Sequence, residues 1–335
     1  MTAGPDIRSI DPGKTRGMQR VTTADGYFIT CALDHGDDYR ELIDSDLSKV
    51  PYARTVSSKL DLIAALQPYV SSFLLDPEYA AAHSILTGVL SRGVGLMVCV
   101  EAEGGYAGTG ERGQTRFRDG WNAAKIKKMG ADMCKLLWYF RPDGPIQGTQ
   151  RRIVSDLVAD CAAQSLPLVV EPIWNALPGE DPLQSDWQNR RAGGIVESAM
   201  IAGELGADLL KLEFPGPVST PDEQRAAAAR CEQISAAVQV PWVILSAGVS
   251  YEVFKVQLEL ACRAGASGFV AGRSIWRDAV PDGSAEPDAD GLEGARSRLT
   301  ELADITIRYG SPHKPTIAKG AVSKSLEKYW YQDWQ

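Results

Sequence analysis

Two stretches of this 335-residue chain are nearly the same: Gly130-Ala-Asp-Met-Cys-Lys135-Leu-Leu and Gly206-Ala-Asp-Leu-Leu-Lys211-Leu-Glu213. Each puts a lysine inside an apolar, strand-like run, and lysine is almost never buried without a partner. A helix stop followed by a strand start would explain the glycine, which is common just past a helix end, but it leaves the lysines unexplained. Amine chemistry explains them. At pH 7 an ordinary lysine, with a pKa near 10.4, is deprotonated in only about one molecule in 2,000. Burial disfavours the ammonium, and a second ammonium about 5 Å away adds roughly 3 kcal/mol of repulsion at an effective dielectric near 20, or about two pKa units. Together these effects would leave one of the two lysines a neutral amine able to attack a carbonyl. The iminium so formed is an electron sink for breaking or making the adjacent carbon–carbon bond.

Such a reaction needs a proton shuttle. Glu171 closes the apolar run Leu168-Val-Val-Glu171, and a carboxyl among apolar neighbours can serve as both acid and base; a plain ion pair to Lys135 or Lys211 is the simpler alternative. Asp34, Glu101, Glu213, Ser246 and Arg273 are the other polar residues late in apolar runs. The segments Leu245-Ser-Ala-Gly248-Val249-Ser and Gly268-Phe-Val-Ala-Gly272-Arg-Ser have small residues that let backbone N–H groups approach an anion. Arg273 adds a charge-assisted fork, so the expected substrate is phosphorylated or sulfonated.

From residue 28 onward short apolar runs alternate with amphipathic ones, as βα units produce. Eight strands are expected, at Phe28–Asp34, Ser71–Asp76, Gly95–Ala102, Asp132–Phe140, Pro167–Ile173, Asp208–Phe214, Trp242–Ala247 and Gly268–Gly272, with helices that include Gln150–Gln164 and Gln224–Val238. The reading is an α/β protein, one (β/α)₈ barrel domain over 1–335 with a core at about 25–310 and extended terminal segments. Alternate strands of such a barrel supply the same inward layers, and its active site lies at the carboxyl ends of the strands, so Lys135 and Lys211 should be neighbours. A doubly wound sheet is the rival. Its one support, Gly108-Thr-Gly110-Glu-Arg-Gly113, is followed by Gln114, Arg116 and Arg118 rather than an apolar helix start, so a loop over the barrel mouth is expected there. Polar excursions are expected at 178–189 and 278–290. The aromatic tail over 311–335 should pack on the barrel or on another subunit.

A net charge of −8 argues against nucleic acid as a partner. No apolar run approaches membrane-spanning length and the first residues lack an apolar signal core, so a cytoplasmic enzyme without membrane contact is expected. The six cysteines and three histidines are scattered, which favours buried free thiols and no metal site.

Trp121 to Phe140 with Lys135, Ala207-Asp-Leu-Leu-Lys211-Leu-Glu-Phe-Pro, Leu245-Ser-Ala-Gly-Val and Gly272-Arg-Ser-Ile-Trp276 resemble the class I tagatose-1,6-bisphosphate aldolase family, whose relatives include sulfofructose-phosphate aldolases. The resemblance runs from about residue 25 to 276. It implies Lys211 as the Schiff-base lysine, Glu171 as acid and base, Lys135 and Asp34 as assisting residues, and Ser246 and Arg273 as phosphate binders; Gly248, Gly272 and His35 complete the expected binding set. The cofactor expectation is none beyond the covalent imine, and a homo-oligomer is expected. One departure stands out: such aldolases follow the first-strand aspartate with Gln-Arg, where this chain has Asp34-His35-Gly36. The distal group of the substrate is then different, or Arg112, Arg116, Arg141 or Arg190 takes over its binding. The expected reaction is cleavage of a phosphorylated ketose to dihydroxyacetone phosphate and a small aldehyde. Transfer of the fragment to another aldehyde, and a sugar-phosphate sensor without turnover, are the alternatives.

Overall fold

The computed structural model describes residues 11–102, 114–284 and 286–314. Eight parallel strands close on themselves in chain order, β1 to β8, with β1 paired to β8. They are β1 Phe28–Leu33, β2 Ser72–Leu75, β3 Gly95–Cys99, β4 Met133–Tyr139, β5 Leu168–Ile173, β6 Leu209–Leu212, β7 Trp242–Ile244 and β8 Gly268–Ala271. The structure is the expected (β/α)₈ barrel, and each strand falls within its expected span, trimmed at one or both ends. Helices α1 Pro12–Val21, α2 Asp37–Ile43, α3 Tyr52–Leu66, α4 Ala81–Leu86, α5 Ala123–Met129, α6 Gln147–Ala163, α7 Ser185–Glu204, α8 Pro221–Ala237, α9 Tyr251–Arg263, α10 Arg273–Trp276 and α11 Ala289–Tyr309 complete the order. Among the described residues no helix is long and apolar enough to cross a membrane.

Two of the helices, α6 and α8, begin three residues earlier than expected. In α8 the reason is local: Thr220 and Glu223 form a capping box ahead of Pro221, which satisfies donors the first turn leaves unpaired. The excursion expected over 178–189 is shorter, since α7 begins at Ser185. The glycine-rich loop through Gly113 and the tail beyond Lys314 lie outside the described residues.

The lumen is filled by one cluster with a residue from every strand: Phe28 and Ala32, Leu74, Met97, Met133, Val169, Leu209, Val243 and Val270, joined by Met18 and Val21 of α1. The N-terminal helix therefore plugs the bottom of the barrel, a role its sequence did not announce. Close packing there demands glycine. A Cβ on Gly17 would lie 2.4 Å from the Asp132 carbonyl oxygen, and one on Gly95 would lie 2.3 Å from that of Arg20.

The Gly-Ala-Asp repeat belongs to this bottom face. Gly130 and Gly206 end α5 and α7 with positive φ of 99° and 102°, a conformation that glycine adopts without steric cost. The aspartates then tie adjacent strands together: Asp132 Oδ2 accepts the Leu96 N–H and Asp208 Oδ2 the Leu168 N–H, each at 2.9 Å. Helix stop and strand tie explain the repeat, and leave the lysines three residues later to the chemistry of the opposite face.

Candidate active site

Side chains alternate along a strand, so residues two apart share a face. Stepping two residues up from the lumen cluster gives Asp34 from Ala32, Lys135 from Met133, Glu171 from Val169 and Lys211 from Leu209. Glu101 follows by the same step beyond Cys99 at the carboxyl end of β3. Odd strands thus supply carboxylates and even strands supply amines, as alternate layers of a barrel permit.

The five side chains converge. Lys135 Nζ donates to Asp34 Oδ2 at 2.9 Å and to Glu101 Oε1, and it lies 3.0 Å from Glu171 Oε2. Lys211 Nζ donates to that same Glu171 oxygen at 2.9 Å. One carboxylate oxygen therefore sits between two lysines, which are close neighbours as expected. Glu101 is the addition: it stood among the late polar residues of the strands, but no role followed from its position.

Electrostatics separates the two lysines. Burial disfavours a charge on Lys135, yet Asp34, Glu101 and Glu171 outweigh it and hold this lysine well above the ordinary range. Burial likewise works against the Asp34 carboxylate, but Lys135 and then Lys211 outweigh it and keep its pKa low. Repulsion between two ammonium groups is thus not the dominant effect at Lys135, which carries a firmly held positive charge among three carboxylates.

The expected anion-binding residues form a second group at the ends of β7, β8 and β1. Ser246 is buried, and the turn after it runs through positive φ at Ala247 (49°) and Gly248 (73°). A Cβ on Gly248 would lie 3.5 Å from the Arg273 guanidinium carbon, and one on Gly272 would lie 2.7 Å from His35 Cε1. Gly248, Ser250, Arg273 and Ser274 line a cleft of about 390 Å³ that also takes in Arg277, Arg298 and the acidic Asp278, whereas Ser246, Gly272 and His35 do not line it. Arg273 reaches Asp38 at 3.2 Å through an exposed ion pair, a contact weak enough for an anion to displace.

His35 links the two groups. Its ring meets Trp276 edge-on with centroids 5.5 Å apart, and its Nδ1 is buried without a hydrogen-bond partner, 3.9 Å from Asp34 Oδ1. Burial, reinforced by Arg273, Lys211 and Lys59 against the pull of Asp34, lowers its pKa to about 3, so the contact with Asp34 is polar rather than ionic. Acidification from about pH 6.5 towards 3 should then protonate the unfolded chain but not the folded one. Stability is expected to fall by up to about 1.4 kcal/mol per pH unit in that window. Urea unfolding at pH 5.0 and 6.5 checks this: His35→Gln should flatten the slope, and an unchanged slope would assign it to other groups.

The arginines proposed as replacements for the missing Gln-Arg are largely engaged. Arg141 lies 3.6 Å above the Trp174 ring and binds Asp143 at 2.8 Å and Glu180 at 2.6 Å. Arg190 binds the other Glu180 oxygen at 3.0 Å. Arg116 runs beside Glu101, its carbonyl accepting the Ala102 N–H at 2.8 Å, and Arg112 lies outside the described residues. Glu213 is not part of the lysine cluster: it takes Arg191 at 2.5 Å and the Trp174 N–H at 2.9 Å. All six cysteines are buried and free; burial pushes the Cys231 and Cys262 thiols up to about 12. Among the described residues no group of three His, Cys, Asp or Glu side chains is arranged to hold a metal ion.

Sequence reasoning missed a further buried pair, Lys59 of α3 and Asp76 after β2, both fully enclosed and 2.5 Å apart. Lysine at one position of an amphipathic helix carries no signal of burial; only the helix's seat on the barrel reveals it.

Known proteins share this architecture and this sequence pattern. A tagatose 1,6-diphosphate aldolase of Streptococcus pyogenes serotype M1 is 27% identical over 290 residues, covering 81% of this chain and 86% of its own. Among solved structures, a fructose-bisphosphate aldolase from Slackia heliotrinireducens superposes with a TM-score of 0.62 at 19% identity, over 88% of this chain and 86% of that one. A Schiff-base-forming fructose-1,6-bisphosphate aldolase superposes at 0.57 and 19% identity, over 88% and 99%; at such identities the likeness is one of fold. The family model for the DeoC/LacD family aldolases matches residues 32–278, a span that holds the whole lysine cluster and every expected anion-binding residue, and the chain belongs to that family.

Proposed function

We propose that this aldolase is metal-independent and cleaves a phosphorylated ketose through an imine on Lys211, releasing dihydroxyacetone phosphate and a small aldehyde. The observation that carries the reading is the single Glu171 oxygen shared by Lys211 at 2.9 Å and Lys135 at 3.0 Å. A proton passed from Lys211 to Glu171 frees the amine to attack the ketone carbon, and the protonated Glu171 then supplies the proton with which the carbinolamine loses water. Returned to its carboxylate form, Glu171 takes the proton of the C4 hydroxyl. The C3–C4 bond breaks, the aldehyde leaves, and the electron pair stays in an enamine on Lys211. Protonation at C3 and addition of water release the three-carbon product and restore the lysine.

Lys135 has a different part in this scheme. Held charged by three carboxylates, it is a poor nucleophile and a good fixed positive charge beside the carbinolamine oxygen. It also occupies the point where Asp34, Glu101 and Glu171 converge, so the cation those carboxylates require is already part of the chain. Ser246, Gly248, Gly272 and Arg273 would bind the substrate phosphate, with His35 against the same wall.

Borohydride added with dihydroxyacetone phosphate should fix the three-carbon adduct on Lys211, located by peptide mass analysis. An unmodified Lys211, or an adduct on Lys135, would overturn the assignment. A panel of ketose phosphates varied at C6 would then identify the aldehyde half.

A further inference from the structure

Lys59 is buried without contributing to the lysine cluster. It projects from α3 and gives its Nζ three acceptors: the Leu33 carbonyl at 2.9 Å, the His35 carbonyl at 2.6 Å and Asp76 Oδ2 at 2.5 Å. Three acceptors match the three protons of an ammonium. The Tyr39 and Tyr79 rings stand 5.2 and 5.6 Å away, and Asp76 is held in turn by the Tyr79 N–H at 2.5 Å. The two carbonyls that Lys59 binds flank Asp34, one of the carboxylates bonded to Lys135.

We propose that Lys59 is a positioning residue for the aldol site: it clamps the chain on both sides of Asp34 and so sets the reach of that carboxylate to Lys135. The role rests on the imine reading above. Asp34 lies one residue past the end of β1, where the strand ladder no longer fixes the backbone. Hydrogen bonds to the carbonyls of residues 33 and 35 replace it. A buried ion pair is weak evidence for stability, because apolar or neutral residues of similar volume often serve as well. Here the pair does something a neutral pair cannot, since its cation also holds two carbonyls in one place.

The test compares Lys59→Met with the double variant Lys59→Met/Asp76→Asn. The single variant leaves Asp76 buried and unpaired and should be destabilised. The double variant has neither charge of the pair, and the amide oxygen introduced at position 76 can still accept the Tyr79 N–H, so its melting temperature should recover most of what the single variant loses, less the cost of the two carbonyls that lose the Lys59 donor. Its kcat should nevertheless stay on the order of 10- to 100-fold low, the scale of a displacement of about 1 Å in a catalytic constellation. The alkaline limb of its kcat/KM profile should move to lower pH. Lys135 faces Asp34 from β1, Cys99 and Glu101 from β3, Glu171 from β5 and Lys211 from β6; loosening Asp34 weakens the first of the charges that hold its proton. A double variant that recovers kcat and pH profile along with stability, or one that does not fold, would assign the pair to the stability of the α3–β1–β2 corner and overturn the proposal. Trapping of dihydroxyacetone phosphate on Lys211 of the unaltered enzyme is the separate control, and its failure would overturn the imine reading itself.

Discussion

Replacing Lys211 with methionine is expected to lower kcat by a factor on the order of 10⁴ or more, the loss typical of removing a nucleophile whose partners act with it as a unit. Methionine keeps most of the side chain's apolar stem and removes the amine proposed to form the imine. The fold should tolerate the change, because Glu171 retains Lys135 at 3.0 Å and Lys135 retains Asp34 at 2.9 Å. An unchanged melting temperature together with loss of both turnover and borohydride adduct would attribute the effect to chemistry. Residual activity within tenfold of the original enzyme would place the nucleophile elsewhere.

The second large effect is expected at Glu171→Gln. The side chain keeps its shape and an amide oxygen can still stand between the two amines, but it carries no charge and takes up no proton, while the amide N–H₂ can only donate. Lys135 is secured by Asp34 and Glu101, whereas Glu171 is the carboxylate bonded to Lys211 among the described residues. The variant therefore lacks the proton shuttle proposed above and holds Lys211 by a weaker, uncharged acceptor. A reduction of about 10²- to 10⁴-fold in kcat is expected, the range of a general acid–base group. Adduct formation on Lys211 should be slowed rather than abolished, since the amine is still present. Rapid trapping with normal turnover would reduce Glu171 to the plain ion pair that its burial alone also allows.

These two variants divide the site along a line drawn by charge. The two lysines have near-identical local sequences, and repulsion between them treats them alike. The carboxylates do not: three of them surround Lys135 and one is bonded to Lys211. That asymmetry makes one lysine a fixed charge and leaves the other bonded to a single proton acceptor, which is the division of labour an imine mechanism needs.

The eight strands were legible because alternating apolar runs and amphipathic stretches are local patterns, and the period of two along each strand places Lys135, Glu171 and Lys211 on the lumen face. The glycine-led repeats were legible as helix stops for the same reason. The boundaries were less so, since the capping box of α8 sets its start through side-chain hydrogen bonds that apolar periodicity does not record. The plugging of the barrel by α1 left no trace beyond Met18 and Val21, two apolar residues in a short polar segment.

The sequence by itself determined which residues face the lumen near the strand ends, because that depends only on alternation within each strand. It also determined that two amines and at least two carboxylates would share that face. Tertiary structure decided which of them touch: Asp34 and Lys135 are 101 positions apart in the chain, and their contact exists only when the barrel closes. Closure also brought Glu101 onto Lys135, turned Arg141 and Arg190 towards Glu180, and enclosed Lys59 beneath the end of β1. Those choices depend on distances of roughly 2.5 to 4 Å between elements far apart in sequence, and at that scale electrostatic and hydrogen-bond energies change by several-fold with small shifts in position. No local pattern encodes them.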